Sequence, residues 1–91
     1  MTTLNDININ ITNNYDTEIV SEITSDDTLK IQLSNDYFVS ASFDDNDENV
    51  LLYSLNTPEE TVEEGYYIDF SVDTLEEGME EFNKQINAWN K

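Results

Sequence analysis

The chain has 91 residues and a formal net charge of −18, because 21 Asp and Glu residues stand against only three cationic ones. This length favours one domain spanning residues 1–91, and the lack of Cys excludes disulfides and thiolate metal sites. Without His or Arg, a Ser-His-Asp triad and a bidentate phosphate clamp are excluded, so we expect a protein that is not an enzyme and uses no cofactor.

The first segment with an apolar pattern, residues 5–12, fits two structures. Ile7, Ile9 and Ile11 alternate as in a strand. Leu4, Ile7 and Ile11 also have helical spacing, with a threonine before them as a possible N-cap. The interleaved Asn residues disfavour a helix interior, and disorder is a third possibility. The pattern alone leaves the structure of this segment open.

The middle of the chain reads as a series of strands. Residues 17–24 are β-branched and alternating, residues 29–33 alternate next, and residues 34–36 have the composition of a turn. Residues 37–43 then place Tyr37, Val39, Ala41 and Phe43 on one face. These features predict three consecutive antiparallel strands.

Two further strands and a helix complete the prediction. Residues 44–49 form a charged loop, residues 50–55 are apolar on both faces, as in a central strand, and residues 66–72 alternate. Residues 74–77 fit a capping box that starts a C-terminal helix. We therefore predict an α+β domain, with an antiparallel sheet of about five strands and a C-terminal helix packed on one face. The apolar stripe of that helix, which we assign to the core, consists of Leu75, Met79, Phe82, Ile86 and Trp89.

Gly78 interrupts this helical stripe, where it costs about 1 kcal/mol relative to alanine. A close approach between the helix and the sheet would explain a glycine at that position.

The loop at residues 44–49 resembles a calcium loop at first sight. Asp45, Asp47 and Asn49 would take the first, third and fifth ligand positions. The sixth position is then Val50 where the motif needs Gly, and the twelfth is Asn56 where it needs Glu. We therefore interpret the segment as a solvated acidic loop.

The density of carboxylates matches the charge density of DNA, which carries one phosphate per about 3.4 Å of each strand. On a β-strand, residues two apart lie roughly 6.6–6.8 Å apart on one face. Asp16, Glu18 and Glu22 would form such a row, and the C-terminal helix would form a second. The acids of residues 58–64, including Glu59 and Glu60, would add rim charge. This pattern favours a DNA mimic for a basic DNA-binding protein rather than a protein that binds nucleic acid itself.

Residues 47–60, with the sequence DENVLLYSLNTPEE, resemble the phage uracil-DNA glycosylase inhibitor family. The segment aligns with the family without a gap and shares half of its residues. The preceding strand, residues 37–45, and the first seven residues are similar more weakly. The family consists of small acidic proteins with a five-stranded antiparallel sheet and flanking helices, so the resemblance implies inhibition of a uracil-DNA glycosylase and protection of uracil-containing phage DNA.

The resemblance also implies site residues. In the family, a glutamate on the first strand enters the DNA groove of the enzyme, and the matching residue here is Glu22, with Ser21 beside it. The family buries a protruding leucine of the enzyme in an apolar pocket between helix and sheet. The matching pocket positions are Val39, Leu51 and Tyr53. The long C-terminal helix of this chain has no counterpart in the family.

Three functions therefore compete. The first is an inhibitor of uracil-DNA glycosylase. The second is a DNA mimic for another nucleic-acid-binding host protein, in the manner of an anti-CRISPR, anti-restriction or nucleoid-protein inhibitor. The third is an acidic interaction domain whose complexes do not compete with DNA.

The expected location is the cytoplasm of a host cell. No apolar run approaches the roughly 18 residues of a membrane span. The first 14 residues have neither the basic region nor the apolar core of a signal peptide.

Overall fold

The computed structural model describes residues 2–15, 19–70 and 75–90. Within these ranges, neither helix combines the length and the apolarity needed to cross a membrane. Five strands lie between two helices along the chain, in the order α1 (Leu4–Asn14), β1 (Val20–Ile23), β2 (Leu29–Gln32), β3 (Phe38–Phe43), β4 (Val50–Asn56), β5 (Thr61–Asp69) and α2 (Leu75–Trp89). This confirms the predicted α+β fold with a C-terminal helix.

The five strands form one antiparallel meander in which each strand pairs with the next along the chain. The turns suit this arrangement because Asp27 and Asp36, at φ 57° and 71°, occupy the left-handed region that Asp tolerates better than most residues. Residues 34–36 form the predicted turn, closed by a hydrogen bond of 2.8 Å from the Leu33 N–H to the Tyr37 carbonyl.

The N-terminal segment is a helix, which decides the question that the pattern left open. Thr3 is its N-cap: the Thr3 hydroxyl accepts from the Asp6 N–H, and the Asp6 carboxylate accepts from the Thr3 N–H. Ile7 and Ile11 are fully buried, whereas Ile9 is 51% exposed. The helical spacing therefore prevails over the alternation, because a strand would have placed all three isoleucines on one face.

Both helices cover the same face of the sheet. The covered face carries the row Ser21, Ile31, Val39 and Leu55, one residue from each of four adjacent strands. Isoleucines of α1 belong to the same buried cluster as Met79, Phe82 and Ile86 of α2. Leu75 and Trp89 pack against this cluster, so the whole predicted stripe of α2 belongs to the core.

The other face of the sheet is open. Although β4 is an interior strand, as predicted, only one of its faces is covered: Leu51 is fully buried, while Leu52 is 41% exposed. The apolar residues on the second face of β4 are therefore not covered, because both helices pack on one side of the sheet. Val20 of β1 and Tyr67 of β5 are likewise exposed on this open face.

The last strand begins earlier than predicted. It starts at Thr61, which pairs with Asn56, and Glu63 pairs with Leu55 across an irregular register. Residues 61–64, expected as part of an acidic rim, are thus strand. Gly65 lies within the irregular stretch, and its φ of 91° is in the left-handed region that glycine adopts more readily than other residues. Val72 and the capping box predicted at residues 74–77 lie wholly or partly outside the described residues.

Gly78 makes the close approach to the sheet that its position predicted. A Cβ atom added to it would lie 2.5 Å from Cδ1 of Phe70, which is well inside van der Waals contact. The ring of Phe70 therefore occupies the space that any larger residue would need.

Candidate acidic partner-binding surface

Two of the four strand connections bring their acids to the same end of the sheet. In an antiparallel meander, the first and third connections lie at one end and the second and fourth at the other. Residues of the β1–β2 turn and the β3–β4 loop also line one common cavity. We call the carboxylates of these two connections the acidic end: Asp26, Asp27, Asp44, Asp45, Asp47 and Glu48.

The β3–β4 loop is shaped by two of its own acids. Asp44 Oδ1 accepts a 2.9 Å hydrogen bond from the Asn46 N–H, and Asp47 Oδ1 accepts a 3.0 Å hydrogen bond from the Asn49 N–H. The Asp44 N–H also donates to the Val50 carbonyl. The loop therefore has a defined conformation, in which Asp44 and Asp47 support the backbone while other carboxylates project into solvent.

The start of α2 adjoins the acidic end. The Phe70 N–H donates a 2.8 Å hydrogen bond to the Asn49 carbonyl of the β3–β4 loop, and the Phe70 ring lies beneath Gly78. Exposed glutamates follow on α2 at intervals of four residues, which is about 6 Å along a helix. They form two short rows, Glu76 with Glu80 and Glu77 with Glu81.

Ser21 and Glu22, predicted to contact a partner together, point to opposite faces of the sheet. Ser21 lies on the covered face, where its hydroxyl donates a 2.6 Å hydrogen bond to Oδ1 of Asn8 in α1. Glu22 is exposed on the open face, directly opposite Lys30. Adjacent residues of a strand must diverge in this way, so only Glu22 of this pair lies on the open face. Glu18, predicted in the same row, lies outside the described residues.

The predicted apolar pocket is filled by the protein itself. Val39 and Leu51 are fully buried, and Tyr53 is 7% exposed. The ring of Phe82 packs edge-on against Tyr53, with 5.0 Å between ring centroids, and Trp89 lies 5.8 Å away. These three positions are therefore core residues, and the assignment of a partner-binding role to them is corrected. The physical reason is α2, whose stripe occupies the space between helix and sheet.

Glu59 and Glu60 lie in the β4–β5 turn, at the opposite end of the sheet from the acidic end. The Thr57 hydroxyl accepts hydrogen bonds from the backbone N–H groups of both residues, at 3.3 and 3.1 Å. The turn is held by these backbone contacts, and both side chains are exposed. Glu59 and Glu60, which were predicted to add charge at the rim of the partner-binding surface, are therefore separate from the acidic end.

The aromatic cluster beneath α2 contains tyrosines with altered acidity. Burial, followed by the charge of Glu81 and the proximity of Tyr66, raises the pKa of Tyr53 to about 12. The pKa of Tyr66 is raised chiefly because its hydroxyl donates a 2.8 Å hydrogen bond to the Glu63 carboxylate. Both tyrosines therefore stay neutral at physiological pH.

The raised pKa of Tyr53 predicts a loss of stability in alkali. A tyrosine with an unfolded pKa of about 10 and a higher folded pKa contributes its full stability below pH 10 and loses it as the pH rises towards 12. We expect the free energy of unfolding to fall by about 2 kcal/mol over this window. Urea unfolding at about pH 8 and pH 11.5 measures it. Tyr53→Phe keeps the ring and should show a smaller loss; an equal loss would contradict the assignment.

The sequence pattern identified residues 44–49 as an exposed acidic loop, but it did not identify the acids of the neighbouring β1–β2 turn. Asp26 and Asp27 are a plain acid pair within a turn, and nothing local distinguishes them. The predicted topology could have identified them, because the first and third connections of an antiparallel meander lie at the same end of the sheet.

Comparison with known proteins gave no match: no protein-family model, no curated protein and no solved structure is significantly similar to the chain.

Proposed function

We propose that this protein is a DNA mimic, which inhibits a DNA-binding protein by occupying its basic groove. The observation that carries the proposal is the arrangement of charge: the acidic end adjoins the start of α2, where the glutamate rows begin, because the Phe70 N–H bonds the Asn49 carbonyl and the Phe70 ring lies beneath Gly78. Of the described cations, Lys30 lies on β2 and Lys84 on α2, one turn beyond Glu80, and neither belongs to the two connections of the acidic end.

The spacing of these carboxylates suits a groove that is built for phosphates. Successive glutamates of each α2 row are separated by about 6 Å along the helix axis, close to the axial rise of roughly 6.8 Å over two phosphates of one DNA strand. A folded array of carboxylates presents this charge without the conformational freedom of a disordered acidic tail. Less entropy is therefore lost when it binds, which favours inhibition by competition.

The proposed target is uracil-DNA glycosylase in the cytoplasm of a phage host, where inhibition would protect uracil-containing phage DNA. The support for this target is the resemblance of residues 47–60 to the inhibitor family. In this chain the matching segment spans the β3–β4 loop, β4 and the β4–β5 turn, so it joins the acidic end to the core.

The filled pocket favours a second candidate, a DNA mimic of another nucleic-acid-binding host protein such as a CRISPR effector, a restriction enzyme or a nucleoid protein. With Val39 and Leu51 fully buried, no apolar pocket is open at these positions to receive a leucine of the glycosylase. A mimic that acts through charge alone needs no such pocket.

A uracil-excision assay decides between the two targets. The protein is added in several-fold molar excess to a bacterial uracil-DNA glycosylase acting on a uracil-containing duplex. Inhibition supports the glycosylase as the target if extra enzyme relieves it and if a non-specific acidic protein, used as the control, does not reproduce it. If excision is unchanged, the glycosylase is not the target, and competition with DNA for basic proteins of a host lysate then tests the second candidate. If no complex competes with DNA, the protein is an acidic interaction domain instead.

Glu22→Ala should weaken inhibition of the glycosylase by roughly 1.4- to fivefold, because an exposed ion pair contributes about 0.2–1 kcal/mol. The effect is limited because Lys30 lies directly opposite Glu22 on β2 and already offsets part of its charge. The inhibition constant measures the change, with far-UV circular dichroism as the check on folding. Asp36→Asn removes the same charge from the β2–β3 turn and serves as the matched control. Equal inhibition constants for the two variants would remove Glu22 from the interface.

A further inference from the structure

A cleft of about 600 Å³ lies at the acidic end, where the start of α1 meets the β1–β2 turn and the β3–β4 loop. Its volume falls within the range of roughly 300–1,000 Å³ that is typical of ligand-binding clefts. Its lining includes the apolar residues Leu4, Ile23 and Phe43, the acidic residues Asp27, Asp44, Asp45 and Glu48, and the neutral polar residues Thr2, Thr3 and Asn5 at the start of α1.

The apolar part of the cleft is attached to the core. Leu4 and Phe43 pack against the buried cluster, and the rings of Phe43 and Phe70 meet edge-on at 6.4 Å between centroids. Ile23, at the end of β1, remains 37% exposed. The floor of the cleft is therefore preformed, and it leaves apolar surface open to solvent beside a dense cluster of charge.

Three carboxylates of the cleft do not support the local backbone through hydrogen bonds. Whereas Asp44 caps the backbone of its own loop, the carboxylates of Asp27, Asp45 and Glu48 accept no hydrogen bond within residues 2–15, 19–70 and 75–90. In the first turn of α1, the Thr3 and Asp6 amides donate within the capping box rather than to these carboxylates. These three charges are thus available to an external cation.

The arrangement suits a long cation better than a metal ion. Among the described residues, no group of three acidic side chains converges as a metal site would require. An arginine side chain has an apolar stem that can lie on apolar surface, and its planar head donates five hydrogen bonds and stacks on aromatic rings such as Phe43. Charge and shape of the cleft are complementary to this side chain.

We propose that this cleft binds an arginine side chain of a basic protein partner, with the stem on Leu4 and Ile23 and the guanidinium among Asp27, Asp45 and Glu48. The inference rests on the proposed function for the nature of the partner, and it specifies where one arginine of that partner is held. Placing the guanidinium beside apolar surface strengthens its attraction to the carboxylates, because less water screens them.

The test is an NMR titration of the isotope-labelled protein at low ionic strength with a capped Gly-Arg-Gly peptide. We expect saturable shifts of the amide signals of Leu4, Ile23, Asp27 and Phe43, with a Kd on the order of 1 mM. The same peptide with citrulline in place of arginine is nearly isosteric but neutral. It should cause no saturable shift at these positions.

Two aspartates provide a matched pair of variants. Asp27→Asn and Asp36→Asn each remove one charge from a turn residue in the left-handed region, where Asn is tolerated as well as Asp. Asp27→Asn should weaken peptide binding about threefold, and Asp36→Asn should leave it within about 1.5-fold. The triple variant D27N/D45N/E48Q should weaken binding by about tenfold or more.

Several results would overturn the proposal. Equal shifts with the citrulline peptide would show that charge is not recognised, and equal losses for Asp27→Asn and Asp36→Asn would show diffuse attraction without a site. Shifts confined to the open face of the sheet would place the contact elsewhere. Should the triple variant not fold, the comparison of the two peptides on the unaltered protein still decides. Because no DNA-binding protein takes part, this test can fail while the excision assay succeeds, and the reverse.

Discussion

Replacing Phe82 with alanine is expected to lower the free energy of unfolding by about 3–5 kcal/mol. Phe82 is fully buried and packs edge-on against Tyr53, so truncation leaves a cavity between α2 and the sheet. A domain of this size has only about 5–10 kcal/mol of stability in total. The loss is measured by urea unfolding, and we expect the variant to be partly unfolded near 37 °C.

The matched control for this variant is Glu80→Ala, which alters an exposed position of the same helix. It should change the free energy of unfolding by no more than about 0.5 kcal/mol. If Phe82→Ala cost as little as the control, α2 would not be packed on the sheet. The pocket predicted around Val39, Leu51 and Tyr53 would then be open to a partner after all.

Raising the salt concentration from about 50 to 200 mM is expected to weaken the complex with the DNA-binding target by at least about tenfold. The reason is that a net charge of −18 meets a basic groove, and added salt screens exposed charges beyond about 8–10 Å. Dissociation constants measured across this range, plotted as log Kd against log salt, give the slope that reports the number of ionic contacts.

A variant that neutralises part of the acidic end, D26N/D27N/D45N/E48Q, should show a shallower slope than the unaltered protein. Asp36→Asn, outside the acidic end, should leave the slope nearly unchanged. Binding that is insensitive to salt would contradict DNA mimicry and would direct attention to the open face of the sheet, where Leu52 and Tyr67 are exposed.

The helices and strands differ in how far their sequence patterns determined them. α2 was predictable because its apolar residues recur with one helical period over fifteen residues. α1 was not, because Ile7, Ile9 and Ile11 satisfy a strand pattern while Ile7 and Ile11 also satisfy a helical one. The capping box between Thr3 and Asp6 and the burial of two isoleucines, but not the third, decided it.

The candidate site was predictable only in part. The acidity of residues 44–49 and the exposure of Glu22 were read from composition and alternation. That Ser21 faces α1 follows from its pairing with Ile31 on the covered face, which is a property of the register. The start of β5 was missed because residues 61–64 carry charges on an edge strand, where exposed acids are tolerated and hide the apolar alternation.

The sequence by itself determined the charge, the absence of His, Arg and Cys chemistry, the α+β class and the helical stripe of α2. These properties are compositional or periodic, so neighbouring residues suffice to read them. Only the tertiary structure decided that both helices cover one face, that Phe82 fills the expected pocket, and that Asp27 joins Asp45 and Glu48 around one cleft. Those facts depend on contacts between residues far apart in the chain, whose geometry the meander and the packing of α2 impose.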